Sequence, residues 1–219
     1  MVPVMKDQEA SEIKVVLIDW AGTLTIPMTD MVRLAATQLD LPNDDLAKIL
    51  MALSDYFTSD DSLFHRAERG EVADEELFSW LEAQVPGASR LFETDEPSLL
   101  TAPDRPEMID LLWWLQDLDV SVLLATNNLL SAQDVLASRY LDSGLVHAIV
   151  NSALVGARKP EPEFWGIVLE ATMVEPSEMV LLDDNTTNIE SAAALGIQTV
   201  LVGNDSALAV AQLKALLNP

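Results

Sequence analysis

Side chains that can do chemistry follow three mostly apolar stretches of this sequence, and they are Asp19, Thr126 and the pair Asp183-Asp184. A fourth polar group, with Lys159 at its centre, stands before a stretch of helical periodicity. Buried parallel strands are near-continuous apolar runs, and their carboxyl ends lie along one edge of a sheet. We therefore expect these four groups to meet in one crevice, although they are far apart along the chain.

The residue types in this crevice indicate a metal site beside an anion site. Three neighbouring carboxylates repel each other strongly unless a divalent cation neutralises them. The chain has no cysteine, which excludes thiol catalysis and thiolate ligands and leaves oxygen atoms to bind a metal. Oxygen-only ligation is typical of Mg²⁺. Lys159 would add the fixed positive charge that a phosphoryl group needs.

Alternating strands and helices are predicted to position these groups. Apolar runs predict strands, which are residues 15–18, 120–125, 147–150, 179–182 and 198–202. Helical periodicity predicts the helices 107–117, 131–140, 161–171, 187–195 and 206–217. Such alternation is typical of an α/β fold with a doubly wound parallel sheet flanked by helices.

The stretch between the first strand and residue 103 has a different pattern. Apolar residues recur there at helical spacing in 31–39, 46–53 and 77–81, and no β-branched run interrupts them. We predict a bundle of about four helices inserted after the first strand. The predicted division is a core domain, residues 1–26 and 103–219, and a helical domain, residues 27–102.

Composition excludes several classes of partner. The chain has 12 Lys and Arg against 36 Asp and Glu, a formal net charge of −24. So acidic a surface repels nucleic acid and anionic membranes. No apolar run reaches the length of a membrane span, and the first residues, which include Asp7 and Glu9, do not resemble a signal peptide. We therefore expect a cytoplasmic protein that binds neither nucleic acid nor membranes.

The polar groups stand in short motifs that resemble the signature motifs of the haloacid dehalogenase superfamily. The motifs are Asp19-Trp20-Ala21-Gly22-Thr23, Thr126 after an apolar strand, Lys159-Pro160, and Leu182-Asp183-Asp184-Asn185 with Asn188 beyond it. They occur in the family's order and span nearly the whole chain. The resemblance implies a Rossmann-like core, and it identifies the helical domain with the family's cap domain.

The resemblance also implies an activity and a role for each position. It implies a Mg²⁺-dependent hydrolase of a small phosphorylated metabolite, in which Asp19 is the nucleophile that forms an aspartyl-phosphate. Thr126 and Lys159 would hold the phosphoryl oxygens and complete the catalytic group. The implied metal ligands are Asp19, the backbone carbonyl of Ala21, Asp184 and Asp183. The implied substrate contacts are Asn127, Gly22 and Thr23.

Position 21 departs from the family's pattern and leaves alternatives open. Most phosphatases of the family have there an Asp that serves as general acid and base, and this chain has Ala21. Loss of a positioned acid lowers a rate by roughly 10²–10⁴-fold. The first motif is similar to that of phosphonoacetaldehyde hydrolase, which cleaves a carbon–phosphorus bond in a phosphonate with a cap lysine. The one lysine of residues 27–102 is Lys48.

Two further alternatives belong to other classes. A non-catalytic or regulatory protein would keep the phosphate site for binding alone. The dehalogenase branch of the family also lacks the Asp at position 21, but it does not keep the acidic pair Asp183-Asp184.

Two features outside the motifs carry further expectations. His65, with Arg66 and Arg69, is expected on the surface of the helical domain, the alternative being that it faces the substrate. The pair Trp113-Trp114 predicts one packed and one partly exposed ring, and the exposed ring predicts a homodimer surface.

Overall fold

The computed structural model describes residues 12–59, 61–93 and 98–217, and its centre is a five-stranded parallel sheet in the order β3-β2-β1-β4-β5. The strands are β1 Val15–Ile18, β2 Ser121–Thr126, β3 Ala148–Asn151, β4 Met179–Asp183 and β5 Gln198–Leu201. The central strand β1 pairs with β2 on one side and with β4 on the other. The segments that follow these three strands therefore lie side by side at the carboxyl edge of the sheet.

Helices cover both faces of this sheet. In the described part of the chain they are α1 Met28–Gln38, α2 Asn43–Thr58, α3 Leu63–Glu68, α4 Asp74–Gln84, α5 Pro106–Leu115, α6 Gln133–Leu136, α7 Ser152–Val155, α8 Pro162–Thr172, α9 Thr186–Ala194 and α10 Ser206–Leu217. Successive side chains of a strand point to opposite faces. In β1, Val16 and Ile18 join the apolar cluster that includes α5 and α10, whereas Val15 and Leu17 join the cluster that includes α8 and α9.

The helices α1 to α4 follow the turn after β1, where helical spacing predicts them. The buried side chains of α1 and α4 belong to the same apolar cluster as α5. Thr25 and Asp104 form an isolated antiparallel bridge where the chain leaves the sheet layer and returns to it. The point at which the chain leaves the sheet layer and the point at which it returns therefore lie next to each other. The division into a core domain and a cap domain stays a prediction.

The predicted fold class is confirmed, and most element bounds agree within two residues. Residues 131–140 are helical as predicted, but the helix is irregular, because a tighter turn, Leu130–Ala132, precedes α6 and a wider helical turn, Ala137–Leu141, follows it. That turn places Tyr140 in the interior, where its hydroxyl accepts a hydrogen bond from Trp20 Nε1 at 3.0 Å. Among the described residues, no helix is long and apolar enough to cross a membrane. The cytoplasmic location and the homodimer stay predictions.

Candidate active site

A sharp turn after β1 brings Asp19 to the edge of the sheet. Residues Trp20–Leu24 form a wide turn in which Gly22 takes a φ of 83°, a left-handed value that favours glycine. A Cβ at position 22 would overlap the carboxylate of Asp184. The missing side chain of Gly22 therefore lets the turn after β1 lie against the end of β4.

The guanidinium of Arg105 fixes this turn by hydrogen bonds to backbone oxygens. Arg105 is buried and donates to the carbonyls of Gly22, Thr25 and Gly203, each at 2.9 Å. A rigid fork of five N–H donors suits such a set of acceptors. Arg105 thereby joins the turn after β1 to the loop after β5. No motif in the sequence pointed to this residue.

The ammonium of Lys159 lies at the centre of the site. The side chain is completely buried, and Nζ donates to Asp19 Oδ1 at 2.8 Å, to Asp183 Oδ2 at 2.7 Å and to the carbonyl of Ala125 at 2.6 Å. An ammonium has three protons, and here each has an acceptor. Lys159 thus links the ends of β1, β2 and β4.

The side chain of Asn127 holds the backbone of Lys159. Asn127 Nδ2 donates to the carbonyl of Lys159 at 2.8 Å, and Asn127 Oδ1 accepts from the amide of Lys159 at 2.8 Å. The resemblance implies a phosphate contact for this side chain. Asn127 also lines the cavity described below, and its Nδ2 carries a second proton, so the implied phosphate contact stays a prediction.

The two carboxylates at the end of β4 differ in their surroundings. Asp183 is completely buried and accepts hydrogen bonds from Lys159, from Asn188 Nδ2 at 3.1 Å and from the amide of Asn185 at 2.8 Å. Asp184 is exposed at the edge of the site. Asp183 therefore orients Lys159, whereas Asp184 is free to bind a ligand from the cavity.

Ligand oxygens of Asp19, Asp183 and Asp184 lie within 4.8 Å of one another. This geometry, with oxygen donors alone, fits a small hard cation such as Mg²⁺. Ala21 also lines the cavity next to Asp19. The cluster of Asp19, Asp183 and Asp184 therefore fits the metal that the sequence implies. The role of each ligand, including the carbonyl of Ala21, stays a prediction.

The clustering of these carboxylates changes their acidity. Burial raises the pKa of Asp19 to about 7; the nearby Lys159 ammonium opposes this rise, and the charges of Asp183 and Asp184 reinforce it. Surrounding protein atoms partly desolvate the carboxylate of Asp184, although the residue is exposed at the edge of the site, and this desolvation together with the charge of Asp183 raises its pKa to about 6. Burial lowers the pKa of Lys159, but the charges of Asp183 and Asp19 outweigh it, so the net pKa is raised and the side chain stays an ammonium.

These groups open onto a cavity of about 320 Å³. Its lining includes Asp19, Lys159 and Asp184 from the sheet edge, with Met28 from α1 and Glu68 from α3. Glu68 Oε2 accepts a hydrogen bond from Arg158 Nε at 2.7 Å, and both side chains are about nine-tenths buried. The ion pair therefore joins α3 to the residue beside Lys159, directly at the wall of the cavity. Glu68 was missed by the sequence analysis, because a carboxylate at a helix end has no distinguishing signal.

Four residues that the resemblance implies do not line this cavity, and they are Thr126, Gly22, Thr23 and Asp183. Thr126 is completely buried, and its hydroxyl donates to the carbonyl of Asn127 at 3.4 Å. Thr23 Oγ1 is buried and has no hydrogen-bond partner among the described residues. Gly22 nevertheless lies against the Asp184 carboxylate and so belongs to the same edge of the sheet as Asp19 and Lys159. The roles implied for Thr126, Gly22 and Thr23 stay predictions.

Two residues of the helical region are also placed. The expected surface position of His65 is wrong, because α3 packs against α2, α4 and α7 and leaves His65 only 5% exposed. Lys48 lies on the exposed side of α2, where its Nζ pairs with Asp45 Oδ1 at 2.7 Å. Lys48 is not among the residues that line the cavity.

A parallel sheet with an acidic site at its carboxyl edge places the chain in the class of Rossmann-like α/β proteins. Within that class the chain belongs to the haloacid dehalogenase-like hydrolase family, whose sequence profile matches residues 13–196.

Relatives of known name share parts of the sequence. A sesquiterpene phosphatase of Aspergillus oryzae is 30% identical over 134 residues, which cover 59% of this chain and 67% of the relative. Two mammalian relatives, from mouse and rat, are 36% and 35% identical, but the matched stretches cover only 9% and 17% of their length. This chain therefore spans a small part of those two longer proteins.

Solved structures share the fold. A haloacid dehalogenase-like hydrolase of Porphyromonas gingivalis has a TM-score of 0.74 at 19% identity and covers 95% of this chain and all of its own. A family enzyme of Bacteroides thetaiotaomicron, in complex with magnesium and inorganic phosphate, has a TM-score of 0.66 at 18% identity, with 88% of this chain and 96% of its own covered.

Proposed function

We propose that this protein is a Mg²⁺-dependent phosphatase of a small phosphorylated molecule and that Asp19 is its nucleophile. One observation carries the proposal: the buried ammonium of Lys159 joins Asp19 to Asp183 at the wall of a cavity that Asp184 also lines. The name of the fungal relative and the magnesium and phosphate bound to the Bacteroides enzyme are consistent with it.

The proposed reaction has two steps, and Asp19 takes part in both. Asp19 Oδ1 is bonded to Lys159, so we assign the attack on phosphorus to Oδ2. The bond from phosphorus to the leaving alcohol breaks, and the alcohol oxygen takes its electron pair and a proton from water. A second water then attacks the phosphorus of the aspartyl-phosphate, which releases phosphate and restores the carboxylate.

The charges around Asp19 have separate tasks. Lys159 keeps Asp19 oriented and neutralises charge on the phosphoryl oxygens. Mg²⁺, held by Asp19, Asp184 and the carbonyl of Ala21, would neutralise further charge on the transferred group. Asp183 keeps Lys159 in place, and Asn188 keeps Asp183 in place. Each of these positions is fixed before substrate binds, which is the condition for electrostatic catalysis.

The side chain of Ala21 cannot donate a proton, so the leaving alcohol receives none from that position. This favours substrates whose leaving group needs no protonation, and it predicts slow hydrolysis of the aspartyl-phosphate, because the same group would activate water. Restoring the acid by Ala21→Asp should raise turnover, by up to roughly 10²-fold. If neither form releases phosphate from activated phosphoesters, the protein is instead a binding module.

Apart from the first motif, no observation on the described residues favours carbon–phosphorus cleavage. That reaction needs a lysine that forms an imine with the substrate, and the lysine lining the cavity, Lys159, is committed to Asp19 and Asp183. Lys48 lies elsewhere, on an exposed surface. Borohydride in the presence of an aldehyde substrate should therefore leave no lysine adduct.

The proposal is tested by measuring phosphate release from a panel of phosphorylated metabolites with and without Mg²⁺. We expect release by the wild type with Mg²⁺ only, and none by Asp19→Asn, which keeps the shape of the side chain. Asp30→Asn, an exposed change on α1, is the matched control and should retain full activity. Equal activity of Asp19→Asn and wild type would remove Asp19 from its role.

A further inference from the structure

A second, smaller cavity of about 70 Å³ adjoins the site. It shares four lining residues with the larger cavity, and they are Ala21, Met28, Glu68 and Asn127. Asp19 lines the larger cavity, and Ala21, two residues further on, lines both, so the smaller cavity opens beside the proposed nucleophile. The two cavities therefore form one cleft with a polar end and a second arm.

The second arm is lined mainly by apolar side chains. They are Trp20, Leu53, Phe64, Phe92, Leu99 and Leu129, and we call this part of the cleft the apolar arm. Trp20, Phe64, Leu99 and Leu129 are at most 7% exposed. The side chains come from the turn after β1, from the helical region and from the loop after β2. They belong to the apolar core cluster or pack against it, and they also form a wall of this cavity.

The polar side chains at the apolar arm already have partners. Both polar atoms of Asn127 pair with the backbone of Lys159. Asn128 Oδ1 accepts from the amide of Leu129 at 2.9 Å. Glu68, the one charged side chain among the described residues of this lining, accepts from Arg158. A sugar or a second phosphate in the arm would lose its hydrogen bonds to water and gain few in return, which is costly. An aliphatic group makes no hydrogen bonds to water, so it loses none when it enters the arm.

We propose that the apolar arm binds the hydrocarbon part of the substrate, so that the substrate class is a phosphate monoester of a small hydrophobic alcohol. This inference rests on the anion site of the proposed function, because that site places the phosphoryl group at Asp19. It does not require rapid turnover, since binding alone reveals the arm.

Calorimetric titration of the Mg²⁺-loaded protein with methyl-, ethyl-, propyl- and butylphosphonate tests the inference. These compounds keep the anionic head and are not hydrolysed. We expect the dissociation constant to fall by about threefold to fourfold for each added methylene, the value for transfer of a CH₂ group out of water. The matched polar ligand is 3-hydroxypropylphosphonate, which has the length of butylphosphonate and should bind no better than ethylphosphonate.

A pair of variants on one helix locates the effect. Leu53→Asn places an amide in the lining of the apolar arm, whereas Leu50→Asn changes a partly buried residue of the same helix that lines neither cavity. In Leu53→Asn, the dissociation constant should no longer fall as the alkyl chain lengthens, and the affinity for methylphosphonate should be unchanged. Leu50→Asn should show the same dependence of the dissociation constant on chain length as the wild type. It controls for a general destabilisation of α2.

The outcomes separate the inference from the proposed function. An equal affinity for all four alkylphosphonates, or tighter binding of the hydroxylated ligand, overturns the inference and leaves the phosphatase proposal standing. If affinity rises with chain length but no ester releases phosphate, the apolar arm is supported and the proposed phosphatase activity is overturned. Failure of every phosphonate to bind overturns both, because the anion site would then be absent.

Discussion

Lys159 shows how one buried cation organises a group of acidic residues. Its ammonium is completely buried and contacts two carboxylates at 2.8 and 2.7 Å, so the charges compensate each other away from water. Removing one member of a buried ion pair leaves an uncompensated charge, which costs far more than losing an exposed pair. The stability of the metal-free site should therefore depend strongly on this side chain.

Lys159→Met should lower the free energy of unfolding by about 3 to 5 kcal/mol in the presence of a chelator. Mg²⁺ should restore part of that loss, since it replaces the missing positive charge. The measurement is urea denaturation with and without Mg²⁺. Lys48→Met, which removes an exposed lysine paired with Asp45, should leave the unfolding midpoint unchanged. Equal effects of the two substitutions would contradict the central position of Lys159.

The raised pKa values of Asp19 and Asp184, about 7 and about 6, give the metal-free protein a specific pH dependence. The folded state keeps protons that the unfolded chain loses near pH 4, so these groups lower stability as pH rises from about 4 to about 7. Mg²⁺ needs the ionised carboxylates and must expel those protons. Its affinity should therefore rise over the same window.

Calorimetry at about pH 6.5 in two buffers of different ionisation enthalpy measures this linkage. We expect the observed heat of Mg²⁺ binding to differ between the buffers by an amount that corresponds to proton release. Asp19→Asn should reduce the number of protons released. Heats that are the same in both buffers would mean that the carboxylates are already ionised before the metal binds.

Among the structural elements, the turn after β1 is the one on which the site depends most. Gly22 has a left-handed φ, and its Cα lies against the Asp184 carboxylate. Arg105 holds the same turn through the carbonyl of Gly22. A side chain at position 22 is therefore opposed by both the backbone conformation and the neighbouring carboxylate.

Gly22→Ala should displace Asp184, weaken Mg²⁺ binding and lower stability by about 1 kcal/mol or more. Gly166→Ala is the matched control, because Gly166 lies inside α8 with open space around its Cα. That substitution should instead stabilise the protein by about 0.5 to 1 kcal/mol, since alanine favours a helix interior. Thermal unfolding of each variant with and without Mg²⁺ measures its stability and its stabilisation by the metal. A neutral Gly22→Ala would show that the turn has more room than its geometry indicates.

The strands and the helices differ in how far the sequence predicts them. Apolar runs ending at Asp19 and Asp183 predict β1 and β4, because a strand buried on both faces has few polar positions. The helix α3 is only six residues long, Leu63–Glu68, too short for a periodicity to show. Its contact with α7 and the burial of His65 depend on tertiary packing, which local spacing does not encode.

At the scale of the whole molecule, the net charge of −24 is the dominant property. Acidic groups distributed over a compact surface repel one another, and the repulsion weakens when salt shortens the Debye length from about 30 Å at 0.01 M to about 8 Å at 0.15 M. Self-repulsion of this kind destabilises the compact state. Stability should therefore depend on ionic strength in a defined direction.

The Tm of the protein in chelator should rise as NaCl is increased from about 0.01 M to about 0.15 M, because screening reduces the repulsion. KCl at equal ionic strength should give the same rise, which separates screening from binding of a particular ion. Differential scanning calorimetry measures the Tm in each salt. A Tm that falls with salt would mean that favourable ion pairs, such as Arg158 with Glu68, outweigh the net repulsion.

The whole molecule also shows which parts of the site the sequence could predict. The apolar runs predict the strands, and parallel pairing brings their polar ends, Asp19 and the Asp183-Asp184 pair, to one edge. The order that puts β1 between β2 and β4 is not predicted by these runs. The clamp of Asn127 on Lys159 joins residues 32 positions apart, and the pair of Glu68 with Arg158 spans 90. Such contacts are set by how the elements pack, so residue type and spacing do not predict them.

The most direct test of the account is whether a phosphoryl group is found on Asp19. The protein is incubated with Mg²⁺ and acetyl phosphate, whose leaving group needs no acid, then quenched in acid and mapped by peptide mass spectrometry. Because Ala21 cannot activate water, we predict that the intermediate accumulates, with one added phosphoryl mass on the peptide that carries Asp19 and none in Asp19→Asn. Phosphate release with no phosphoryl group on Asp19, or with the group on another residue, would contradict the account.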